Sequence, residues 1–107
     1  MGKASRPHDD AVIEILRADA AFSAEYLAVA FDDAGQPSGR EALLKALRHV
    51  AEAQGMAQVA ERAGMQRERL YRTLSPRGNP TLKTLLAVLS RAGLRLAVEK
   101  TNREPAA

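Results

Sequence analysis

Apolar positions recur at helical spacing along most of the chain. In DDAVIEILRA (9–18), Val12, Ile13 and Leu16 form an i, i+1, i+4 stripe. Two leading acids suit a helix N-terminus, so a first helix is predicted there. Asp19 is placed to cap a second, roughly 20–33, with Phe22, Tyr26, Val29 and Ala30 as its stripe. DDAGQPSG (32–39) reads as a turn. Ser38 followed three residues later by Glu41 forms a capping box for a third helix, 39–54, with Leu43, Leu44, Leu47, Val50 and Ala51 on one face. Beyond Gly55 the segments shorten. A helix over 56–63 turns Val59, Ala60 and Ala63 inward, and Gly64 breaks it. Another over 67–74 turns Leu70 and Leu74 inward and stops at Pro76, which has no N–H to continue it. After the loop SPRGNP, Thr81 caps a helix over 82–92 with Leu82, Leu85, Leu86 and Leu89 as its stripe, and Gly93 stands where a helix-ending glycine belongs.

The period then falls to two. Leu94, Leu96 and Val98 alternate with Arg95, Ala97 and Glu99, a half-buried strand pattern. A lone strand leaves its backbone donors and acceptors unpaired, and the simplest partner is the same strand of a second copy. The alternative is that 94–98 packs beside the last helix. No internal repeat or low-complexity segment interrupts the chain. The pattern predicts one domain over 9–100, made of N-terminal helices (9–54), a second helical set (55–93) and a dimerisation strand (94–100), between flexible tails at 1–8 and 101–107. The fold class is all-α, five to six helices with that single strand.

Composition narrows the chemistry. The 107 residues suit one domain. With no cysteine, disulfides and thiolate metal sites are excluded, and a cytoplasmic setting is the default. His8 and His49 have no ligand-like spacing, so no metal site and no cofactor are expected. No apolar run approaches the ~20 residues that span a bilayer, and the polar start MGKASRPHDD lacks the apolar core of a signal peptide. Net charge is +3 but divides unevenly. Residues 1–54 carry six Lys/Arg against nine Asp/Glu; residues 55–107 carry ten against four. A basic second half points to a polyanionic partner, and the alternative is a chance imbalance on solvated faces. Enzymatic readings are poor. Asp9/Asp10 and Asp32/Asp33 are adjacent pairs whose side chains diverge on a helix, His49 reads as a partly packed surface residue, and no catalytic residue is assigned.

The informative segment is MAQVAERAGMQRERLYRTLS (56–75). Ala60 is small where two short helices touch. Gly64 can take the positive φ of a tight turn, Met65 is an inward plug, and Leu70 anchors the second helix. This is helix-turn-helix grammar; the alternative is an ordinary αα-hairpin. With Leu70 and Leu74 inward, Gln66, Arg67, Glu68, Tyr71 and Arg72 face out near the start of the second helix, the part that reaches base edges in a major groove. Arg67 and Arg72 suit guanine, Gln66 suits adenine, and Glu68 suits cytosine or else Arg72 at i+4. Tyr71 contacts thymine or phosphate, or packs. Arg69 lies further round. Gln58, Arg77, Asn79, Thr81 and Lys83 suit backbone phosphates, with plain solvation as the alternative for each.

Three stretches resemble one family: HDDAVIEILRADAAFSAEYLAVAFDDAG, LLKALRHVAEAQGMAQVAERAGM and LYRTLSPRGNPTLKTLLAVLSRAGLRLAV, whose block LYRTLSPRGNPTLKTLLAVL is the most specific part. They are similar to the addiction-module antidote proteins, HigA-like helix-turn-helix antitoxins of Cro/repressor type, over about residues 8–98. The resemblance implies a bacterial, cytoplasmic antitoxin that neutralises a RelE-like mRNA-cleaving toxin and, as a homodimer on double-stranded operator DNA, represses their shared operon. It implies DNA reading by Gln66, Arg67, Glu68, Tyr71 and Arg72, and transfers no toxin-contact residue. Gln66 departs from the family pattern, which has Ser or Thr as the helix cap there. The acidic N-terminal half is complementary to a basic toxin. Two rivals remain: a stand-alone DNA-binding regulator without a toxin, and a protein-interaction module that blocks a toxin with little use of DNA.

Overall fold

A computed structural model describes residues 7–101, with side chains from Asp9 onward. Most of the expected tails, and the His8 side chain, lie outside the described residues. Six helices follow in order: α1 (Pro7–Ala18), α2 (Ala20–Asp32), α3 (Gly39–Gln54), α4 (Met56–Ala63), α5 (Arg67–Thr73) and α6 (Leu82–Arg91). α1 starts two residues before the predicted boundary, because a proline's fixed φ suits the first helical turn.

α3 is the central wall. α1 and α2 pack on it, as do α4 and α6, and α5 packs on α4. Leu16, Leu47, Val50, Val59, Leu70, Leu74 and Val88 form the centre of the core. Asp19 caps α2 through the Phe22 amide at 3.1 Å, and Thr81 caps α6 through the Thr84 amide at 3.2 Å, as predicted. α4 and α6 end alike. The Met65 amide donates to the Ala60 carbonyl at 3.0 Å and the Leu94 amide to Leu89 at 2.8 Å, after glycines at φ +75° and +77°. This is the Schellman stop, whose apolar residue after the glycine packs back on the helix.

Four expectations are corrected. First, Ser38 is no capping-box residue. Successive turn bonds, Gln36 N to Asp33 O at 2.9 Å and Gly39 N to Gln36 O at 2.8 Å, hold it at φ +64°, and its hydroxyl makes no cap bond. A cap needs extended backbone.

Second, the inward faces of α2 and α6 match the predicted ones only in part: Phe22, Tyr26, Ala30 and Leu85 pack against the core and Leu89 lies in it, but Val29, Leu82 and Leu86 are exposed. On α2, Ser23 and Leu27 are buried while Val29 is 61% exposed. On α6, Thr84, Ala87, Val88 and Leu89 face in while Leu82 is 64% exposed. Small side chains at 84 and 87 suit the face that α6 packs on α3 and α4.

Third, no strand forms among the described residues. Leu94 is the apolar plug of the α6 stop rather than a first strand position, and Leu96 and Val98 are 42% and 99% exposed. Without a second chain the segment has no ladder to join.

Fourth, His49 is only 3% exposed. The Tyr26 hydroxyl is hydrogen-bonded to its Nδ1 at 2.7 Å, and its Nε2 lies 3.3 Å from Asp9 Oδ1. Burial, with the Asp9 carboxylate adding to it, raises the Tyr26 pKa and keeps the phenol protonated. The ring thus ties the first turn of α1 to α3 and α2. Asp9→Ala is therefore expected to cost about 1–2 kcal/mol, read from urea midpoints. An unchanged midpoint would contradict this tie.

Candidate nucleic-acid interface

α4 and α5 meet through the three-residue turn Gly64–Met65–Gln66. Val59, Ala60 and Ala63 of α4 and Leu70 of α5 are buried where the helices cross. Gln66 is extended at φ −78°, ψ 154° and makes no side-chain cap bond, so α5 begins at Arg67 with its first amides uncapped by that side chain.

Every position assigned to DNA reading is exposed: Gln66, Arg67, Glu68, Tyr71 and Arg72. They do not share one direction. On a helix of 3.6 residues per turn, Arg72, Glu68 and then Arg69 lie opposite Leu70 and Leu74. Arg67 and Tyr71 lie on the flank towards α1, lining a groove with Asp10, Glu14, Arg17 and Glu52. Tyr71 is held there. Burial and the hydrogen-bonded Glu52 carboxylate raise its pKa, and Arg67 opposes this. The outward face is thus centred on Arg72, with Arg69 belonging to it more than the sequence indicates. Among the described residues neither arginine makes a salt bridge, and Glu68 does not pair with Arg72.

The predicted phosphate groups divide between free and engaged. Gln58, Arg77, Asn79, Thr81 and Lys83 are all exposed. The Lys83 ammonium reaches over the turn, where a Cβ on Gly64 would lie 3.0 Å from Nζ. Asn79 Oδ1 accepts from Arg40 Nη2 at 3.2 Å, and the Thr81 hydroxyl is committed to Thr84. Gln58 folds its amide oxygen back over Gly55.

Three residues that build this site are missing from the sequence reading. Arg40 also donates to the Gly78 carbonyl at 2.9 Å, fixing the loop after α5. Arg48 Nη1 donates to the Leu74 carbonyl at 2.9 Å and so satisfies the end of α5. Gly78 is buried beneath that end. Arg40 and Arg48 lie 38 and 26 residues from their partners. Local periodicity carries no signal for such pairs.

Charge is segregated along the fold. Residues 7–37, which make α1, α2 and the turn after them, hold seven carboxylates against Arg17 alone. Residues 55–101 hold nine Lys/Arg against three Glu. No helix among the described residues is long and apolar enough to cross a membrane, and no group of three or more His, Asp or Glu is placed to hold a metal.

Comparison with known proteins finds a family described as "Probable addiction module antidote protein", which matches residues 8–100. An uncharacterized protein of Haemophilus influenzae (strain Rd) is 39% identical over 66 residues, covering 62% of this chain and 68% of its own length. No solved structure matches.

Proposed function

The chain belongs to the probable addiction module antidote family, and from that premise we propose that it is an antitoxin whose α4–turn–α5 unit is a DNA-binding helix-turn-helix. An antidote implies a toxin to neutralise; we assign that toxin to the RelE-like RNases, the protein's second role being repression of its own operon. α5 is the recognition helix. Arg72, Arg69, Glu68 and Gln66 read bases, Arg67 and Tyr71 border the groove wall, and Lys83, Arg77 and the α6 N-terminus hold phosphates. Repression is by occlusion of the promoter.

The observation that carries this reading is the outward face of α5: two arginines opposite the buried Leu70 and Leu74, neither in a salt bridge among the described residues. A structural αα-hairpin has no use for them. The test is a reporter driven by the operon's promoter. Wild-type protein is expected to repress it, and an Arg69→Ala/Arg72→Ala variant to release it. Full repression by the variant would move the DNA-reading role away from α5.

We assign dimerisation to the segment after the α6 stop, through Leu96 and Val98, with Leu94 kept in its own protomer's core. The exposed Leu96 and Val98 support this, since apolar side chains gain by leaving water. A two-fold dimer would set two recognition helices about 34 Å apart for a palindromic operator. Leu96→Asp with Val98→Asp is expected to sediment as a monomer with unchanged helix content. A persistent dimer would remove this segment from the interface.

A further inference from the structure

We propose that the outer face of α2, with the α2–α3 groove beside it, is the surface that takes the toxin. The segment it takes is basic and places an apolar or aromatic side chain in the groove. This rests on the antidote reading and names the surface that performs it.

The composition of α2 is the first observation. From Ala20 to Phe31 it carries one charged residue, Glu25. A helix apolar on all sides is normally buried on all sides. Here only Ser23 and Leu27 are buried. On one flank, Ala24, Ala28 and Phe31 share a cleft with the chain's own 94–99 segment. The other flank is half-buried and lines a surface groove. Phe22 and Tyr26 stack with centroids 5.9 Å apart, Tyr26 continues onto His49 at 6.1 Å, and Val29 stands 61% exposed one turn on. These side chains line a groove of about 490 Å³, floored by Ala30 and Ala46.

The rim decides the occupant. Glu25 and Asp33 border the groove on the α2 side and Lys45 on the α3 side. Residues 7–37 as a whole hold seven carboxylates against one guanidinium, Asp10 and Glu14 lying with Arg17 beside Arg67 and Tyr71 rather than on this rim. Such a field repels nucleic acid, whose phosphates need cations. A basic protein with an apolar side chain to insert satisfies both groove and rim. The stacked Phe22–Tyr26 pair gives the groove an aromatic wall of the kind binding hot spots use. The surface belongs to α2 and α3, whereas the DNA-reading residues belong to α5, so one protomer can hold both partners.

The test titrates the full-length protein with the purified toxin of its module and, separately, with operator DNA. Wild type, Val29→Arg and Glu25→Lys/Asp33→Lys are compared. Wild-type toxin affinity should fall with salt. Val29→Arg should weaken it by about thirtyfold or more, as loss of a hot-spot residue does, and the double reversal by about tenfold or more. Operator binding and thermal melting should not change. All three altered positions are exposed, and should Val29→Arg melt early, the double reversal carries the test. Unchanged toxin affinity in the variants overturns the surface and leaves the antidote reading standing. No association of wild type with the toxin overturns both.

Discussion

Gly78→Ala should cost about 3 kcal/mol or more and lower the melting temperature by at least about 12 °C. Gly78 is buried in the loop after α5, its amide donating to Ser75 O at 2.8 Å and its carbonyl accepting from Arg40. A Cβ there would overlap the Thr73 carbonyl oxygen and lie 2.8 Å from Arg72 O. Both are backbone atoms of the last turn of α5. Neither can withdraw unless the helix moves, so the cost falls on the site itself. Gly35→Ala is the matched control, since nothing lies within 4 Å of a Cβ at Gly35. Its melt should be close to that of wild type. Equal melting of the two variants would contradict the packing described beneath α5.

Arg72→Ala should weaken operator binding by about 1–3 kcal/mol, roughly five- to 150-fold, and relax discrimination at one base pair. The expected effect follows from position. Arg72 lies opposite the buried Leu70 and Leu74 and makes no salt bridge among the described residues, so its guanidinium is available to a base edge. Arg67→Ala should cost less, because Arg67 lines the groove with Asp10, Glu14 and Glu52 and already interacts with Tyr71. Anisotropy titrations rank the two variants. A larger loss from Arg67 than from Arg72 would shift the reading face by about 140° round α5 towards α1 and contradict the orientation of α5.

The helices were legible because their ends are written in local chemistry. Asp19 and Thr81 cap, Gly64 and Gly93 stop, and each does so within a few residues of the amide or carbonyl it serves. Helix faces were less legible. On α6 the pattern of four leucines names a face of which the fold keeps Leu89 and Leu85, while small Thr84 and Ala87 are buried in place of large Leu82 and Leu86. The two-residue period after Gly93 misled for a local reason: Leu94 is apolar to plug the helix stop, and with it removed only Leu96 and Val98 remain of the strand pattern. The exposed residues of the α5 site were readable from Leu70 and Leu74. The arginines that fix the site, Arg40 and Arg48, and the Asp9–His49–Tyr26 tie were not, since each joins residues distant in sequence.

Sequence-specific DNA binding is the central claim, and one titration tests it most directly. Labelled DNA from upstream of the protein's own gene is titrated at two salt concentrations beside a scrambled duplex, and anisotropy is followed. A preference of roughly a thousandfold or more for the upstream DNA is expected, with both affinities falling as salt rises. Equal, weak and salt-steep binding to the two duplexes would contradict it, reducing the basic half to a general polyanion surface and leaving toxin binding as the protein's whole function.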